Sequence, residues 1–355
     1  MTYPLSPEEK NKETTGEAAS EITKETNSSS YRRRIIYSAK VFGITLRLFG
    51  AVLLVVQIVQ AVMNISAGSG ISRNITVGCL FAVLLVWAGK RSVIEKAVAR
   101  FAARIGQSGF SLCIYGFPFL LVAFVLWAKI QIGPVSDEWR YVSSEGSISE
   151  YGTAIAYLLV PVFAYPMAKL FRKQNRRLMS SLYYVIIAGT FLVGMEELSW
   201  GQRLLGFEPP EFWLENNAQA EFNLHNLELY NSHLNEAFIV VGFLGSSCWI
   251  VRRYWQSREA HHNAGDVTSS FGSKLDLSYL FPDWPISSFF YPIFIFLMLP
   301  RVTPYGKSGT FFHGADQEHW EFIMSLGVLL FVVVSFFRQA RAHDIAKQSS
   351  APPSI

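Results

Sequence analysis

Charged residues are scarce in this 355-residue chain: they make up 16% of it, whereas half of the residues are hydrophobic. A soluble protein of ordinary composition carries roughly 25% charged residues. The hydrophobic residues are grouped into long blocks, each close to the roughly 20 residues with which a helix crosses a bilayer. The chain lacks the alternating segments of about ten residues that are typical of a transmembrane barrel. The sequence therefore predicts an all-α protein, a polytopic bundle of transmembrane helices.

Cysteine is also rare, and its placement argues against two kinds of site. Cys79, Cys113 and Cys248 all fall within predicted membrane spans, which disfavours a disulfide framework and a cysteine-ligated zinc site. The chain also lacks a phosphate-binding loop, a dinucleotide fingerprint and a nucleic-acid-binding motif. We therefore expect membrane lipids as partners and no nucleic acid.

Eight apolar blocks qualify as membrane spans. Their approximate limits are residues 41–63, 75–89, 109–130, 150–170, 179–197, 234–251, 287–304 and 319–337. The transmembrane domain is predicted to cover residues 35–340, between a disordered tail, 1–34, and a shorter tail, 341–355. It includes a basic amphipathic segment near residues 90–107, which suits a helix on the membrane surface, and a polar segment, 198–233.

Basic residues are distributed unevenly between the predicted loops. Counting Lys169 at the edge of a span, 24 of the 31 Lys and Arg fall on the side of both termini, which the positive-inside rule makes cytoplasmic. Fifteen of the 27 acidic residues and four of the seven His fall on the opposite side. We therefore predict a multi-pass protein of the bacterial inner membrane whose polar chemistry faces the outer, periplasmic side.

The outer ends of four predicted spans carry acidic, imidazole and amide side chains. The set comprises Glu145, Glu150, Glu196, Glu197, His233, Asn235, Glu236, His313, Asp316, Glu318, His319 and Glu321. Helices that cross the same bilayer end at similar depths, so these side chains are expected to share one layer. Such a layer could form a site between the helices.

Helix capping explains several of these acids without any function. Ser147 followed by Glu150 is a capping-box pattern, and an acid in a first helical turn suits the helix dipole. The same explanation covers Glu236, Glu318 and Glu321. Capping does not explain Glu196 and Glu197, because they lie at a predicted helix C-terminus, where negative charge costs a few tenths to about 1 kcal/mol. A bound cation, Arg203, a histidine or a proton must compensate them.

The pair opens a long polar segment, GMEELSWGQRLLGFEPPEFWLENNAQAEFNLHN, residues 194–226. Its aromatic residues suit the headgroup level of a membrane, and its many amides need hydrogen-bond partners if they are buried. Both a re-entrant cap and a solvated loop fit this pattern. The segment resembles the signature of a family of bacterial polytopic membrane proteins, a Glu-Glu and Ser-Trp-Gly-Gln-Arg block followed by an amide-rich block that ends in Asn-Leu-His-Asn. An acidic segment before an earlier helix recurs in that family, and SEGSISEYG stands in its place here.

The resemblance covers about residues 110–335 and implies membership but little about activity, because no reaction is assigned to the family. Two other groups are similar in kind only. Alkaline-ceramidase-like hydrolases bind zinc through histidines, but their His-x-x-x-His pair is absent here. CAAX-type intramembrane proteases carry Glu-Glu-x-x-x-Arg, whereas Arg203 lies six residues after Glu197.

Our first hypothesis is a metal-dependent hydrolase or transferase acting on a lipid-linked substrate. The candidate catalytic residues are Glu196, Glu197, Gln202 and Arg203. The candidate metal ligands are Glu197, His225, His233 and His319. The candidate substrate-binding residues are Glu145, Glu150, Trp200, Asn223 and Asn226. Carboxylates and imidazoles without cysteine suit Zn, Mn or Fe, and a metal would activate water.

Two alternatives remain open at this point. A non-enzymatic protein that handles lipids or glycans, or acts as a scaffold, would use the acidic outer face to bind a cationic group and the aromatics to bind a sugar or a lipid. A transporter is least favoured, because the centres of the spans are nearly free of charge and no internal repeat is visible.

Overall fold

The computed structural model describes residues 73–88, 91–143, 147–217, 219–262, 276–302, 311 and 316–349, together with single positions at 47, 54, 57, 58, 61, 62, 65 and 68. Within these ranges the chain is helical, with one isolated antiparallel bridge between Asn217 and Leu227 and no strand. The chain divides into two compact units, residues 1–110 and 111–355. The predicted all-α class is therefore confirmed.

Eleven α-helices lie within the described ranges. They are α1 (Arg73–Ala88), α2 (Arg91–Ile132), α3 (Asp137–Ser143), α4 (Ile148–Lys173), α5 (Arg177–Glu197), α6 (Gln202–Leu205), α7 (Glu211–Asn216), α8 (Glu228–His262), α9 (Trp284–Ser287), α10 (Tyr291–Val302) and α11 (Gln317–Ser349). Single 3-10 turns cover Ser199–Gly201, Leu277–Tyr279 and Ser288–Phe290.

The first unit contains α1 and the first part of α2. The helical path of α2 is interrupted at Gly106, whose φ of 70° and ψ of 179° are readily adopted only by glycine. The residues before this break match the segment predicted to lie on the membrane surface. They are helical, and their position at a membrane stays a prediction.

In the part of the chain that the structure describes, six helical segments are long and apolar enough to cross a membrane. They are Ser108–Ile132, Ser149–Lys173, Arg177–Glu197, His233–Arg258, Leu277–Val302 and Gln317–Gln339. They correspond to the last six of the eight predicted spans. The predicted span 75–89 coincides with α1, whose 16 residues are fewer than the roughly 20 with which a helix usually crosses a bilayer. The predicted span 41–63 lies largely outside the described residues, as do the tail 1–34 and the end of the tail 341–355. The count of eight and the sidedness of the termini therefore stay predictions.

The centre of the second unit is formed by α4, which packs along both α5 and α11. Small residues allow this close approach. A Cβ added to Gly152 would lie 2.6 Å from the ring of Phe322, and one added to Gly194 would lie 2.8 Å from Leu158. Such small-residue contacts are how transmembrane helices approach each other without a hydrophobic driving force. As a result, the start of α4, the end of α5 and the start of α11 meet at one end of the bundle.

A hydrophobic cluster joins α10 and its preceding turn to α11. Its buried members are Phe289, Phe290, Ile293, Trp320, Ile323 and Met324. By contrast, α2 beyond residue 110 and α8 expose large apolar side chains such as Leu120 and Phe243. An apolar outer surface around a packed centre is the arrangement expected of helices that face lipid.

Candidate functional site

Three glutamates converge where α5 ends and α11 begins. Glu197 is the last residue of α5, while Glu318 and Glu321 lie three residues apart in the first turns of α11. One carboxylate oxygen from each lies within 4.8 Å of the others. Glu197 and Glu321 are only 7% and 5% exposed. We call these three residues the carboxylate cluster, and their end of the bundle the carboxylate end.

Two side chains of α4 extend this cluster. Glu150 is buried and interacts electrostatically with Glu321. Tyr157 lies seven residues later, two turns along the same helix face, and interacts with both Glu321 and Glu197. The helix N-cap predicted at Ser147 is also confirmed, because the backbone N–H of Glu150 donates to the hydroxyl of Ser147 at 3.4 Å. Groups from three helices therefore interact electrostatically at this end of the bundle.

The charge of the carboxylate cluster requires compensation. Two unit charges about 4.8 Å apart repel each other by about 3–4 kcal/mol at an effective dielectric constant near 20. Three ionised carboxylates at this separation would together lose about 10 kcal/mol, as much as the whole stability of a typical domain. A bound cation, a nearby positive group or retained protons must therefore neutralise part of the cluster. Carboxylate oxygens without nitrogen or sulfur ligands suit hard cations such as Mg²⁺, Mn²⁺ or Ca²⁺.

A separate polar network surrounds His319, which follows Glu318 on α11. Its Nδ1 lies 2.6 Å from the hydroxyl of Ser149, and its Nε2 lies 3.2 Å from the hydroxyl of Ser143. A serine within hydrogen-bond reach of a histidine is the geometry of an activated nucleophile. The group on the other ring nitrogen is a second hydroxyl, whereas the orienting residue of a catalytic triad is a carboxylate.

A buried ion pair lies beside this histidine. Asp316 accepts hydrogen bonds from Lys129 of α2 and from Nε1 of Trp139, the latter at 2.9 Å. The side chains of Lys129 and Asp316 are 1% and 4% exposed. The ring of Trp139 also packs on His319 at 5.4 Å between centroids. This ion pair therefore ties α2 and α3 to the start of α11.

Glu196, the neighbour of Glu197, has a different role in the structure. Its Oε1 accepts from Nε1 of Trp200 at 2.6 Å, and its Oε2 accepts from the backbone N–H groups of Leu224 and His225. These bonds fasten the end of the polar segment to the end of α5. We call residues 198–227 the cap.

The cap begins with an unusual turn. Ser199, Trp200 and Gly201 all have positive φ, of 46°, 53° and 85°. A non-glycine residue in this region costs about 1–2 kcal/mol. Side-chain bonds offset this strain, because the hydroxyl of Ser199 donates to Glu221 at 2.7 Å and Trp200 donates to Glu196. The turn directs the chain back over the end of α5 immediately after the carboxylate cluster.

Amide side chains hold the rest of the cap together. Asn217 donates to the backbone and side-chain oxygens of Asn223, both at 2.9 Å, and accepts from the backbone N–H of Gln219. Asn226 donates to Gln219, and Gln202 accepts from the backbone of Phe222. The cap is therefore held together by hydrogen bonds between its own residues, and whether it enters the membrane stays open.

The structure separates the predicted site residues. Glu197 lies in the carboxylate cluster, and Glu150 is next to it. The histidines predicted as metal ligands lie apart from each other: His319 bonds to serines, Nδ1 of His225 lies 3.6 Å from Glu196, and His233 is exposed. In the described part of the chain, no group of metal-binding side chains combines these histidines with Glu197.

The other predicted site residues lie mainly in the cap. Trp200, Gln202, Asn223 and Asn226 contribute to its internal hydrogen bonds. Glu145 and the side chain of Arg203 lie outside the described residues. The predicted catalytic and substrate-binding roles of all these residues stay predictions.

At the level of sequence, helix capping accounts for Glu318 and Glu321, yet the structure places both in the carboxylate cluster. Acids in a first helical turn are so well explained by the helix dipole that their type and position give no further signal. Their spacing does give one, since residues three apart share a helix face. The spacing of Glu318 and Glu321 therefore indicates two carboxyl groups on the same face of α11.

Comparisons of the chain with protein-family models, with curated proteins and with solved structures give no match.

Proposed function

We propose that this protein is a multi-pass membrane protein that binds a divalent cation at Glu197, Glu318 and Glu321 and uses it in a hydrolase or transferase reaction on a lipid-linked substrate. The observation that carries this proposal is the convergence of three carboxylates, from two helices, within 4.8 Å. Their mutual repulsion explains why they would bind a cation. Membership of the bacterial family suggested by the Ser-Trp-Gly-Gln-Arg segment is part of this proposal.

The donor set narrows the choice of cation. The ligands expected from sequence included three histidines and suited Zn, Mn or Fe. Oxygen donors alone favour Mg²⁺, Mn²⁺ or Ca²⁺, and Mn²⁺ is common to both sets. A divalent cation held there would supply the activation of water or of a phosphoryl or acyl oxygen.

The protein's own groups have defined places around this centre. Glu150 and the phenol of Tyr157 border the cluster and could exchange a proton with a reacting group. The cap covers the end of α5, because Glu196 fastens residues 224 and 225 to it. Leu205 and Phe212 of the cap are 77% and 58% exposed, which suits contact with the apolar part of a lipid-linked substrate.

The experiment is metal analysis of the purified full-length protein beside two variants, Glu197→Gln and Glu321→Gln. We expect about one bound Mn²⁺ per chain by electron paramagnetic resonance. We also expect a stabilisation of about 2.7 kcal/mol when Mn²⁺ is at 100 times its Kd. Both should be lost in the two variants. Glu236→Gln is the matched control, because Glu236 is an exposed glutamate paired with Arg301 at 2.9 Å.

The reaction is tested by incubating the same proteins with a bacterial lipid extract and Mn²⁺, and comparing the lipids by mass spectrometry. Lipid species should be converted by the wild type and by Glu236→Gln, and not by Glu321→Gln. Wild-type protein without stoichiometric metal, together with an unchanged lipid profile, would refute the proposal.

A second candidate is a non-enzymatic lipid- or glycan-handling protein. The saturated hydrogen bonds of the cap favour it, because amides such as Asn217 and Asn223 are occupied with one another. In this case the metal would stabilise the fold, and Mn²⁺ would bind without any change in the lipids.

A further inference from the structure

The opposite end of the bundle contains a small cavity that the proposed function does not use. Its volume is about 160 Å³, and it is lined by Trp249, Arg252, Arg253, Gln256, Asp283 and Trp284. The first four residues belong to α8, while Asp283 and Trp284 stand at the start of α9. We call this end of the bundle the arginine end.

Two hydrogen-bond donors of the cavity-lining residues have no partner. They are Nε1 of Trp249 and Nε of Arg252, and both atoms are buried. The side chain of Arg252 is 8% exposed, and its other nitrogens donate to the carbonyl of Phe281 at 3.0 Å and to Asp283 at 2.6 Å. A buried donor without a partner costs about 1–3 kcal/mol. Two donors carried by residues of the cavity wall therefore lack a partner.

The charge around the cavity favours a negatively charged acceptor. Asp283 is contacted by two arginines, by Arg252 at 2.6 Å and by Arg338 at 2.8 Å. Asp276 also interacts with Arg252 and lies 3.9 Å from Arg176, but the cavity wall itself carries two arginines, Arg252 and Arg253, against the single carboxylate of Asp283. Water could fill the cavity and accept hydrogen bonds, but it would leave this excess charge unbalanced. A phosphate group supplies both the acceptors and the charge.

The position along α8 indicates where that phosphate comes from. The cavity residues of α8 lie in the last turns of the segment His233–Arg258, the part able to cross a membrane. Two indoles line the cavity, and tryptophan prefers the headgroup level of a bilayer. Phe243 and Leu244 precede these residues on α8, Ile250 lies between Trp249 and Arg252, and all three are exposed. An acyl chain could lie along this apolar surface while its headgroup occupies the cavity.

We propose that this cavity binds the phosphate group of an anionic phospholipid, through Trp249, Arg252 and Arg253. Basic pockets between transmembrane helices are known to take such headgroups. The proposal is independent of the carboxylate cluster, which lies at the other end of the helices.

The test uses the full-length protein in a neutral detergent, titrated with phosphatidylglycerol and followed by native mass spectrometry. Trp249→Phe removes the indole N–H and keeps a ring, while Arg253→Gln removes an exposed charge. We expect one retained phosphatidylglycerol in the wild type and about tenfold weaker binding in each variant, the loss of one charge-assisted hydrogen bond. Arg252 is left intact because it also bonds to Phe281 and Asp283.

Trp255→Phe and Arg258→Gln are matched controls. They remove the same groups from the same helix, and neither residue lines the cavity. Both should bind phosphatidylglycerol within twofold of the wild type, and phosphatidylcholine should bind at least tenfold more weakly than phosphatidylglycerol.

A parallel titration with sodium phosphate distinguishes the two sources of the ligand. Phosphate that displaces phosphatidylglycerol and depends on Trp249 and Arg253 would support the same chemistry with a soluble ion as its source, and failure of phosphate to bind would support the lipid. Equal binding by the wild type and both pocket variants would overturn the proposal. So would equal weakening by the controls, or equal binding of phosphatidylcholine.

Discussion

At the arginine end of the bundle, opposite charges meet: Arg252 and Arg338 both contact Asp283, and Arg176 lies 3.9 Å from Asp276. At the carboxylate end, three carboxyl groups converge instead. Lys129 and Asp316 lie nearby and pair with each other. The two ends belong to the same packed helices, so the difference does not come from the fold. Paired charges hold segments together, whereas a cluster of like charges opposes folding unless a ligand or protons compensate it. The paired charges of the arginine end therefore hold segments together, whereas the carboxylate cluster has to be compensated by another group.

The largest expected effect on stability comes from breaking the buried ion pair of Lys129 and Asp316 at the carboxylate end. Lys129→Met leaves Asp316 buried without its cation and should lower the free energy of unfolding by about 3–5 kcal/mol. Denaturant unfolding in detergent measures this. The double variant Lys129→Met/Asp316→Leu should regain most of the loss, because two apolar residues replace the buried pair. A double variant no more stable than Lys129→Met would show that the pair does not act as a unit.

A smaller loss is expected at the arginine end. Asp283→Asn leaves Arg252 and Arg338 without their shared carboxylate, and should cost about 2–3 kcal/mol. This is less than for a fully buried pair because the side chain of Asp283 is 39% exposed. Asp137→Asn is the control, since that carboxylate is 98% exposed and 3.9 Å from Arg140, and it should change stability by less than about 0.5 kcal/mol. Equal effects of the two substitutions would remove the structural role assigned to Asp283.

The smallest expected effect on stability distinguishes Glu196 from its neighbour Glu197. Glu196→Gln weakens the bonds that hold residues 224 and 225 and should cost about 1–2 kcal/mol in thermal unfolding, while leaving Mn²⁺ binding intact. Glu197→Gln should do the reverse and abolish Mn²⁺ binding, with no loss of stability in metal-free protein. Loss of Mn²⁺ from both variants would mean that Glu196 belongs to the cation site.

Much of the helical architecture could be predicted from the sequence. The predicted limits 179–197 and 109–130 lie within two residues of the helical segments Arg177–Glu197 and Ser108–Ile132. Block length and hydropathy decide where such a helix begins and ends, and both can be read locally. The segment Leu277–Val302 begins ten residues before the predicted 287–304, because two short turns and α9 precede α10.

The site was harder to predict. The position of a residue along its helix can be read from the local sequence, whereas the direction in which its side chain points depends on how the helices pack. Glu197 was singled out by the unfavourable dipole at the end of α5, and the structure places it in the cluster. His225 and His319 lie at the same end, yet each points to different partners, Glu196 and the two serines. Which side of a helix faces a neighbour depends on packing, here on close contacts such as Gly194 with Leu158.

The cap has a consequence for how the chain is made. Ser199 bonds to Glu221, and Glu196 bonds to the backbone of His225, which lie 22 and 29 residues later. Synthesis proceeds at about 5–20 residues per second, so roughly one to six seconds separate the appearance of α5 from that of its last partner. During that interval the end of α5 and its glutamates are without their cover. The end of α5 can therefore be covered only after the ribosome has passed residue 225 and the cap has closed.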